Sequence, residues 1–422
     1  MKKRITALIT SAIFGSLSVM NVSAVTSEVK GDINNDGVFN VADMVTLQKW
    51  ILNDVDKLQN WKAADLCTDN ILDAFDMSMM RKHLLVPKTN IVRVTTSDEL
   101  MSALAAAKAG DEIVVAPGEY ICTTSTNTKG YQYHGAADGT EDSPIILRSE
   151  DPESPAILSG STIQKQYALA ITGDWWVLEN IKVTGSSIGL VLDNSNNTKI
   201  INCEVYGTGQ EAIHIRDGSS NCLVENTYIH DTGLKTAAYG EGIYIGSSYK
   251  AEEYEHACDN NRIRNCKIGP NVTAEHVDVK EYTTGTIIEN CTFDGKGISG
   301  ENYADSFVDL KGNDCILRYC TGYRNGEIRV NRAFEMNKLV DGWGQNAYIY
   351  GNKVYMDTSL NSEGKKMVIL NSWNCTETVW DNYMAYEDGV LFYTDDEKDK
   401  WNYYNCNGLT YGDSSIEKEL PQ

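Results

Sequence analysis

Charged side chains recur at matching positions in five short segments of the second half of the chain. Each segment alternates apolar with polar residues, which is the pattern of a β-strand with one buried face. When the segments are aligned on their apolar residues, the polar residues fall into two columns that are preceded by further acids. The first column contains His214, Tyr244, Asp278, Asp309 and Glu335, the second contains Arg216, Gly246, Lys280, Lys311 and Asn337, and the preceding acids are Glu211, Glu241, Glu275 and Asp305.

Stacking of these strands would crowd the acids on one outer face, because neighbouring strands lie about 4.8 Å apart. Like charges at that distance repel unless a cation neutralises them. Ca²⁺ is the natural candidate because it prefers carboxylate oxygens, and the predicted ligands are Glu241, Glu275 and Asp305. The alternative for each acid is a solvated surface position, with Lys280 and Lys311 only balancing the charge.

This face has the groups that β-elimination of a uronic-acid polysaccharide requires. The reaction removes the proton beside the carboxylate and expels the linked sugar, so it needs a cation for the developing negative charge and a base for the proton. A lysine beside Ca²⁺ can serve as the base, and we favour Lys280 over Lys311 because Glu275, Asp278 and Asp309 surround it. The predicted catalytic residues are Lys280, Lys311, Asp278 and Asp309.

Four residues near these acids are predicted to contact the substrate: His214, Arg216, Tyr244 and His276. Tyr244 would either stack on a sugar ring or pave the face. The two histidines have a structural role as their alternative.

The elements that position these residues form a repeat array. An apolar pair, a polar residue and an asparagine recur at residues 177–180, 200–203, 223–226, 262–265 and 287–290, with spacings of roughly 22 to 30 residues. Short strands at such spacings indicate a solenoid, and the lack of interleaved helices favours a right-handed parallel β-helix. The recurring asparagine is interpreted as a stack of side-chain amides in a turn. Three of the eleven cysteines follow it and a fourth follows a tyrosine at the same repeat position, and we predict a buried small-apolar column at Cys203, Cys266, Cys291 and Cys320.

Two calcium-binding loops precede the array. The first has oxygen side chains at positions 1, 3, 5, 9 and 12 of an EF-hand-like loop, with Gly37 at the sharp turn and Val38 offering a carbonyl. A second copy begins 33 residues later, and each copy is followed by apolar residues at helical spacing. The predicted ligands are Asp32, Asn34, Asp36, Asn40 and Asp43 in the first loop and Asp65, Asp69, Asp73 and Asp76 in the second.

Paired loops of this kind resemble a type I dockerin over residues 31–87. The resemblance implies a cohesin module of a scaffoldin as the partner and Ca²⁺ as the cofactor. Two departures concern the second loop, where Cys67 replaces an oxygen ligand at position 3 and Asn70 replaces glycine at position 6. Two others concern the surface that faces cohesin, where 41–42 and 74–75 lack the usual small hydroxyl residues.

The repeat array resembles the β-helical polysaccharide lyases of families six and nine. The segment 275–280 is similar to the family-six segment that pairs a Ca²⁺-ligand glutamate with a base, which implies Glu275 as ligand and Lys280 as base. The segment 301–311 is similar to the family-nine segment, which implies Lys311 as base and Asp305 as a neighbour of the metal.

The charge and the first residues place the protein outside the cell. The chain has 422 residues and a formal net charge of −22, which argues against a nucleic-acid binder. A basic start, an apolar run and a small-residue cleavage site predict a signal peptide at 1–24. No later stretch is long enough to span a membrane. We predict a linker at 25–30, the dockerin at 31–87, a second linker at 88–92 and the β-helix catalytic domain at 93–422.

The sequence therefore predicts a mainly β, right-handed parallel β-helix with a small α-helical dockerin ahead of it. The expected protein is a secreted, monomeric, cellulosome-associated enzyme that cleaves an acidic polysaccharide. A β-helical glycoside hydrolase or a C5-epimerase shares this architecture. A non-catalytic carbohydrate-binding or adhesive solenoid is the alternative from a different class.

Overall fold

The computed structural model describes residues 29–36, 39–67, 69–85, 90–360, 364, 367–386 and 402–422. The predicted signal peptide at 1–24 lies outside the described residues, as do Gly37 and Val38 of the first loop. The chain divides into two compact units, Met1–Leu85 and Val86–Gln422. None of the helices in the described part of the chain has the length and apolar character needed to cross a bilayer.

The first unit is helical, with helices at Val41–Ile51, Trp61–Ala64 and Ala74–Leu85. The first helix begins at Asn40, whose side chain accepts a hydrogen bond from the N–H of Ala42, and Asp43 completes a capping box. Its apolar side chains pack with those of the loops and the third helix in a small core. That core contains Ile33, Leu47, Ala64, Leu66 and Met80.

The second unit consists of short strands in three parallel sheets, which confirms the predicted parallel β-helix. The first sheet contains Asn90–Val94, Asp111–Val115, Ile145–Ser149, Trp176–Glu179, Lys199–Ile201, Leu223–Glu225, Arg262–Arg264, Ile287–Glu289, Ile316–Arg318, Ala347–Tyr350, Thr376–Trp380 and Gly408–Tyr411. The second sheet contains Glu119–Cys122, Ile157–Gly160, Lys182–Thr184, Glu204–Tyr206, Tyr228–His230, Lys267–Ile268, Thr292–Asp294, Thr321–Tyr323, Lys353–Met356 and Tyr383–Tyr386. The third sheet contains Tyr131–Gly135, Tyr167–Ile171, Ile188–Asp193, Ile213–Arg216, Ile243–Ile245, Val277–Val279, Val308–Leu310, Arg332–Asn337, Val368–Trp373 and Tyr403–Tyr404.

Helical structure in this unit is limited to a few short elements. The helix Ser97–Ala106 begins after Thr96, whose side chain accepts a hydrogen bond from the N–H of Glu99. Single turns of 3₁₀-helix occur at Ala237–Tyr239, Glu301–Tyr303 and Ile416–Glu419. The first strand of the solenoid, Asn90–Val94, begins inside the segment that was predicted to be a linker, 88–92. It forms there because its backbone pairs in parallel with Asp111–Val115.

The asparagine recurs because of the backbone conformation that its position requires. Asn180, Asn202, Asn226, Asn265 and Asn290 all have left-handed backbone conformations, with φ between 49° and 56°. Asparagine tolerates this conformation better than other residues with a side chain. The sharp turn between the first and second sheets therefore selects asparagine, and the predicted stack of amides is not what the asparagines share.

The core runs along the whole solenoid between the three sheets. Cys203, Cys266, Cys291 and Cys320 lie in it, each buried and each with a free thiol, as predicted. Valine, isoleucine and leucine side chains fill most of the remaining space. Each rung contributes inward residues from all three sheets, which leaves the alternate residues of the third sheet facing outward.

Candidate active site

The predicted columns are in register on the outer face of the third sheet. Backbone pairing places His214 beside Tyr244, Tyr244 beside Asp278, Asp278 beside Asp309, and Asp309 beside Glu335. The same column continues to Asn371 and Tyr404.

A groove of about 1120 Å³ lies over this face. It takes side chains from the columns, from the residues just ahead of each strand and from two flanking loops. The residues that line it are Glu241, Glu275, Asp278, Lys280, Asn302, Tyr303, Asp305, Asp309, Lys311, Asn331, Arg332, Glu335, Asn337, Leu339, Val368, Asn371, Trp373, Tyr403 and Tyr404.

Two lysines share one aspartate in the groove. The Nζ atoms of Lys280 and Lys311 each lie 2.7 Å from a different carboxylate oxygen of Asp278. Lys311 also lies 2.5 Å from Asp309. Burial alone would raise the pKa of Asp278, but the two ammonium groups outweigh it and hold that pKa below its usual value. Burial alone would lower the pKa of Lys311, but the charges of Asp278 and Asp309 raise that pKa well above its usual value.

Asp278 also belongs to a cluster of buried acids. Carboxylate oxygens of Glu241, Glu275 and Asp278 all lie within 4.8 Å of one another. Burial and the nearby charges of Glu211 and Glu275 raise the pKa of Glu241 well above its usual value. Burial, with the charge of Asp278, raises the pKa of Glu275 to about 8. These two carboxyls are therefore easier to protonate than ordinary glutamates unless a cation neutralises them.

The cluster fits a hard divalent cation. One oxygen of Glu241, Oε2, is buried and has no hydrogen-bond partner among the described residues. Buried polar atoms are normally paired, so an orphaned carboxylate oxygen beside two other acids indicates a place for a ligand. Carboxylate oxygens are the donors that Ca²⁺ prefers. Glu241, Glu275 and Asp278 are the residues that would hold it.

Asp305 lies in the groove but outside this cluster, contrary to the expectation that it binds the metal. Its Oδ2 atom lies 2.8 Å from Nη2 of Arg332 and 3.1 Å from Nδ2 of Asn331. Arg332 also binds Glu335, at 2.6 Å. Burial raises the pKa of Glu335 to about 7, helped by the charge of Asp309. At this end of the groove, Arg332 therefore neutralises the negative charges of Asp305 and Glu335, which a metal cation would otherwise neutralise.

Two of the four predicted substrate contacts are engaged elsewhere. The Arg216 guanidinium is 4% exposed, pairs with Asp193 at 2.6 Å and lies over the rings of Tyr167 and Tyr254. His276 is fully buried, because its position precedes the strand at a corner where the side chain turns inward between Phe293 and Phe307. The prediction that these two side chains contact substrate is therefore wrong for this structure.

The other two lie beside the groove and not on its lining. His214 is buried, and its Nε2 atom lies 3.0 Å from the Gly246 carbonyl oxygen. Its ring packs edge-on against Tyr244 at 4.6 Å. Tyr244 supports Lys280, whose Nζ atom lies 4.8 Å from the centre of the ring. Burial raises the pKa of Tyr244 well above its usual value, so it remains a phenol.

Several groove residues were missed by sequence reasoning. Arg332 stands three residues before Glu335, as Glu275 stands three before Asp278, so the same alignment carried one rung further would have found it. Trp373 pairs in register with Asn337 and is 49% exposed. Tyr303 and Tyr404 come from a loop turn and from the last rung, and no spacing in the sequence indicates them.

The two loops of the first unit form matching hydrogen-bond networks. Oδ1 of Asp43 accepts from the N–H groups of Ile33 and Asn34, at 2.9 and 3.1 Å, and Oδ2 accepts from Asn40 at 2.9 Å. Asp76 repeats the pattern in the second loop, accepting from Leu66 at 2.9 Å, Cys67 at 3.3 Å and Asp73 at 3.1 Å. The duplication of the sequence is therefore a duplication of the fold.

The remaining predicted ligands are arranged alike in both loops. Asp32 accepts from the N–H of Asp36 at 3.1 Å, and Asp65 accepts from that of Asp69 at 3.2 Å. Asn34 Oδ1 also accepts from Asp36. Cys67 replaces that asparagine in the second loop, and ligand atoms of Asp65, Cys67 and Asp76 lie within 4.8 Å of one another. Carboxylate oxygens and a carbonyl oxygen are calcium ligands, so the first loop fits Ca²⁺ and the second fits it with one weaker donor.

Two protein families match the chain, one in each unit. The family described as "Pel9A-like, right handed beta helix region" matches residues 89–362. The family described as "Dockerin type I domain" matches residues 30–85. Both resemblances stated from the sequence are confirmed, as is the right-handed β-helix.

Three polysaccharide lyases are among the known proteins that the chain resembles. The chain is 38% identical to an alginate lyase from Paenibacillus sp. str. FPU-7, with a TM-score of 0.66 over 76% of this chain and 98% of that one. Pectate lyase L of Dickeya chrysanthemi is 24% identical over 265 residues, which are 61% of this chain and 59% of that protein, so the chain spans about three fifths of its length. Pectate lyase Pel9A has the same fold at 16% identity, with a TM-score of 0.52 over 70% of this chain and 78% of that one.

Proposed function

The chain belongs to the Pel9A-like right-handed β-helix family, and from that premise we propose that it cleaves a uronate-containing polysaccharide by calcium-assisted β-elimination. The observation that carries the proposal is the groove in which Asp278 is shared between a cluster of three buried acids and two lysines. A cation site and a base side by side are what β-elimination next to a carboxylate requires.

Lys280 is the better placed of the two lysines to take the proton. It has one carboxylate partner, whereas Lys311 is held between Asp278 and Asp309 and is more deeply buried. In the proposed reaction Lys280 acts as the neutral amine, after its ammonium proton has been lost to solvent, and the proton on the carbon beside the uronate carboxylate moves to its Nζ atom. The bond to the linked sugar oxygen breaks, and a carbon–carbon double bond forms. Lys311 would hold Asp278 and Asp309 in place.

The remaining groove residues would position the chain of sugars. When bound at Glu241, Glu275 and Asp278, Ca²⁺ would neutralise the substrate carboxylate and the negative charge that develops next to it. Exposed aromatic rings at Trp373 and Tyr404 offer flat apolar faces to sugar rings. They lie at the end of the groove that is farther along the solenoid, which gives the substrate a track parallel to the solenoid axis.

Alginate is the first substrate to test and pectate is the second. The alginate lyase shares more sequence with the chain and is covered almost completely by it. Pectate lyase L shares less, and over only part of its length. Both polymers carry a carboxylate on each sugar, which suits a cation held in an acidic groove.

The first unit would attach the enzyme to a protein complex outside the cell. The dockerin match supports binding to a cohesin module and hence attachment to a scaffoldin of a cellulosome. Secretion through the signal peptide at 1–24 is part of the same proposal, with the dockerin at 31–87 and the catalytic β-helix after it.

The experiment is a substrate screen with the purified full chain on alginate, pectate, rhamnogalacturonan and glucuronan. Each polymer is tested with Ca²⁺ and with a chelator, and products are followed by the ultraviolet absorbance of unsaturated sugars. We expect absorbance to rise on at least one uronate polymer and to fall at least tenfold with the chelator. Saturated reducing ends without absorbance would identify a hydrolase instead, and binding without any product would identify an adhesive solenoid.

A further inference from the structure

A second cavity, of about 460 Å³, lies on the loops that follow the strands of the third sheet. It is separate from the groove, and none of its lining residues lines the groove. The residues around it are Tyr254, Glu255, His256, Ala257, Asp259, Tyr282, Thr284 and Trp343.

Three of its side chains form a continuous aromatic ledge, which consists of His256, Tyr282 and Trp343. Ring centres are 5.2 Å apart between His256 and Tyr282 and 5.3 Å apart between Tyr282 and Trp343. The three rings come from loops after the strands that begin at Ile243, Val277 and Arg332. All three rings are half-buried, so each is held in place and still presents a face.

The backbone fixes the ledge next to the catalytic lysines. Tyr282 follows Lys280 by two residues and has a φ of 70°, a left-handed conformation that is unusual for a bulky side chain. Gly344, next to Trp343, donates its N–H to the carbonyl oxygen of Lys311 at 3.1 Å. Nε2 of His256 lies 2.9 Å from the Ala251 carbonyl oxygen. The ledge is therefore built on the same turns that carry the two lysines.

Two of the polar groups that line the cavity are carboxylates that accept hydrogen bonds from the backbone. Asp259 accepts from the N–H of Thr284 at 2.7 Å through Oδ1, and Glu255 accepts from Ala257 at 3.2 Å through Oε1. One oxygen of each carboxylate has no partner among the described residues and is open to a ligand hydroxyl. No lysine or arginine is among the residues that line the cavity. A uronate would meet two carboxylates without a lysine or arginine beside them, whereas a neutral sugar can donate its hydroxyl hydrogens to the same carboxylates.

The geometry points to a second carbohydrate site in this cavity, in which a neutral pyranose ring stacks on the aromatic ledge and gives hydroxyl hydrogen bonds to Glu255 and Asp259. Aromatic faces favour the apolar C–H face of a sugar, and a few convergent acceptors fix its orientation. The ring can belong to a neutral branch of the acidic polymer or to a separate neutral polysaccharide. The site does not depend on the lyase activity, because none of its residues is in the groove.

The test is retardation of the full chain in native gels that contain a polysaccharide, in the Lys280→Ala background so that the polymer is not cleaved. The neutral probes are xylan, galactan, arabinan and β-glucan. The acidic probes are alginate and pectate, the latter with and without its neutral side chains. The variants are Trp343→Ala and Trp343→Phe, with Trp61→Ala as the control because Trp61 is an exposed tryptophan of the other unit.

We expect at least one neutral polymer, or only pectate with its side chains, to retard the parent. Trp343→Ala should weaken that binding at least tenfold, Trp343→Phe should retain most of it, and Trp61→Ala should leave it unchanged. Thermal unfolding of Trp343→Ala within a few degrees of the parent shows that the ledge variant is folded. Retardation by a free neutral polymer assigns the ligand to a separate polysaccharide, and retardation only by branched pectate assigns it to a branch.

The proposal is overturned if no neutral sugar retards the protein, if Trp343→Phe binds as poorly as Trp343→Ala, or if Trp343 is needed for unbranched alginate. If no lyase activity is found but a neutral sugar still retards the protein through Trp343, only the proposed activity is refuted. Lyase activity without such retardation would refute only the second site.

Discussion

The chain holds carboxylates together in two different ways. In the dockerin loops the acids come from within twelve residues, and Asp43 and Asp76 each accept three backbone N–H hydrogen bonds. In the groove, Glu241 and Glu275 come from neighbouring rungs 34 residues apart, and Glu241 keeps an oxygen without a partner among the described residues. The loops thus satisfy their acids with local backbone, whereas the groove leaves them to lysines and a cation.

The difference has an energetic consequence. Acids that accept several N–H hydrogen bonds are stabilised in their charged form by the fold itself. Acids that are buried together without such donors destabilise the fold when they are charged. Removal of a carboxylate should therefore weaken the loops and relieve the groove, and the same substitution should have opposite effects on stability in the two units.

The largest expected effect is that of Lys280→Ala on turnover. Loss of a general base typically lowers kcat by about 10²- to 10⁴-fold. Lys311→Ala should act differently, because it leaves Asp278 and Asp309 buried without their shared cation and costs about 3–5 kcal/mol of unfolding free energy. Initial rates and thermal unfolding, measured side by side, check both.

The matched control is Lys199→Ala, an exposed lysine at the start of a strand in the first sheet. It should change neither rate nor stability. Full activity of both groove variants would show that the site lies elsewhere. If Lys280→Ala loses stability and keeps its rate, Lys280 is the lysine that holds the acids in place and Lys311 is the base.

The next effect concerns the loops. Asp32→Ala combined with Asp65→Ala removes the first ligand of both loops and the hydrogen bonds that Asp36 and Asp69 donate to them. Calcium binding by the first unit and its binding to a cohesin should be lost, by at least about a hundredfold in affinity. Calorimetry with Ca²⁺ and a cohesin pull-down measure this. Survival of both would contradict the view that the local loop is the whole metal site.

The two units also differ in how much of them the sequence could predict. The predicted loop ligands follow a fixed local spacing, so all nine could be named without knowledge of the tertiary fold. Groove ligands depend on the register between rungs, and the alternation of apolar residues was regular enough to place Asp278 beside Asp309. Register alone does not say which carboxylates point at one another, and that is why Asp305 was grouped with Glu241 although its side chain pairs with Arg332.

Corners of the solenoid are where sequence reasoning failed. His276 precedes its strand by one residue, and a chain that turns there sends the side chain into the core between two phenylalanines. The period-two rule applies within a strand and gives no direction beyond its end. Tyr404 was missed for a different reason, because no copy of the asparagine pattern was recognised after residue 382, and nothing in the sequence therefore placed the strand Tyr403–Tyr404 in register.

A moderate effect is expected from Glu241→Gln. In a chelator at pH 7 this variant should unfold a few degrees above the parent, because glutamine is neutral in the buried cluster without taking up a proton. The Ca²⁺ concentration needed for activity should rise at least tenfold. The pKa values of Glu241 and Glu275 are raised in the folded state, so without Ca²⁺ the parent should be most stable below about pH 4.5 with respect to these groups and should lose that stability as the pH rises towards 8. Thermal unfolding across pH, with and without Ca²⁺, measures both. If Glu241→Gln is less stable than the parent in the chelator, removal of a carboxylate destabilises the groove as it does the loops, and the proposed difference between the two units is wrong.

The smallest effect tests the contrast inside the dockerin itself. The two loops share their backbone hydrogen bonds and differ at position 3, where Asn34 offers a carbonyl oxygen and Cys67 offers a sulfur. Sulfur is a poor ligand for Ca²⁺, so the second loop should bind more weakly than the first. Cys67→Asn should raise the affinity of the second loop by about tenfold, and Cys67→Ser, with a shorter oxygen donor, should raise it less. Calorimetry of the full chain that carries both Asp32→Ala and Glu241→Gln isolates this loop from the first loop and from the groove. Equal affinities for all three side chains would mean that the shared acids and carbonyls, and not position 3, set the binding strength of a loop.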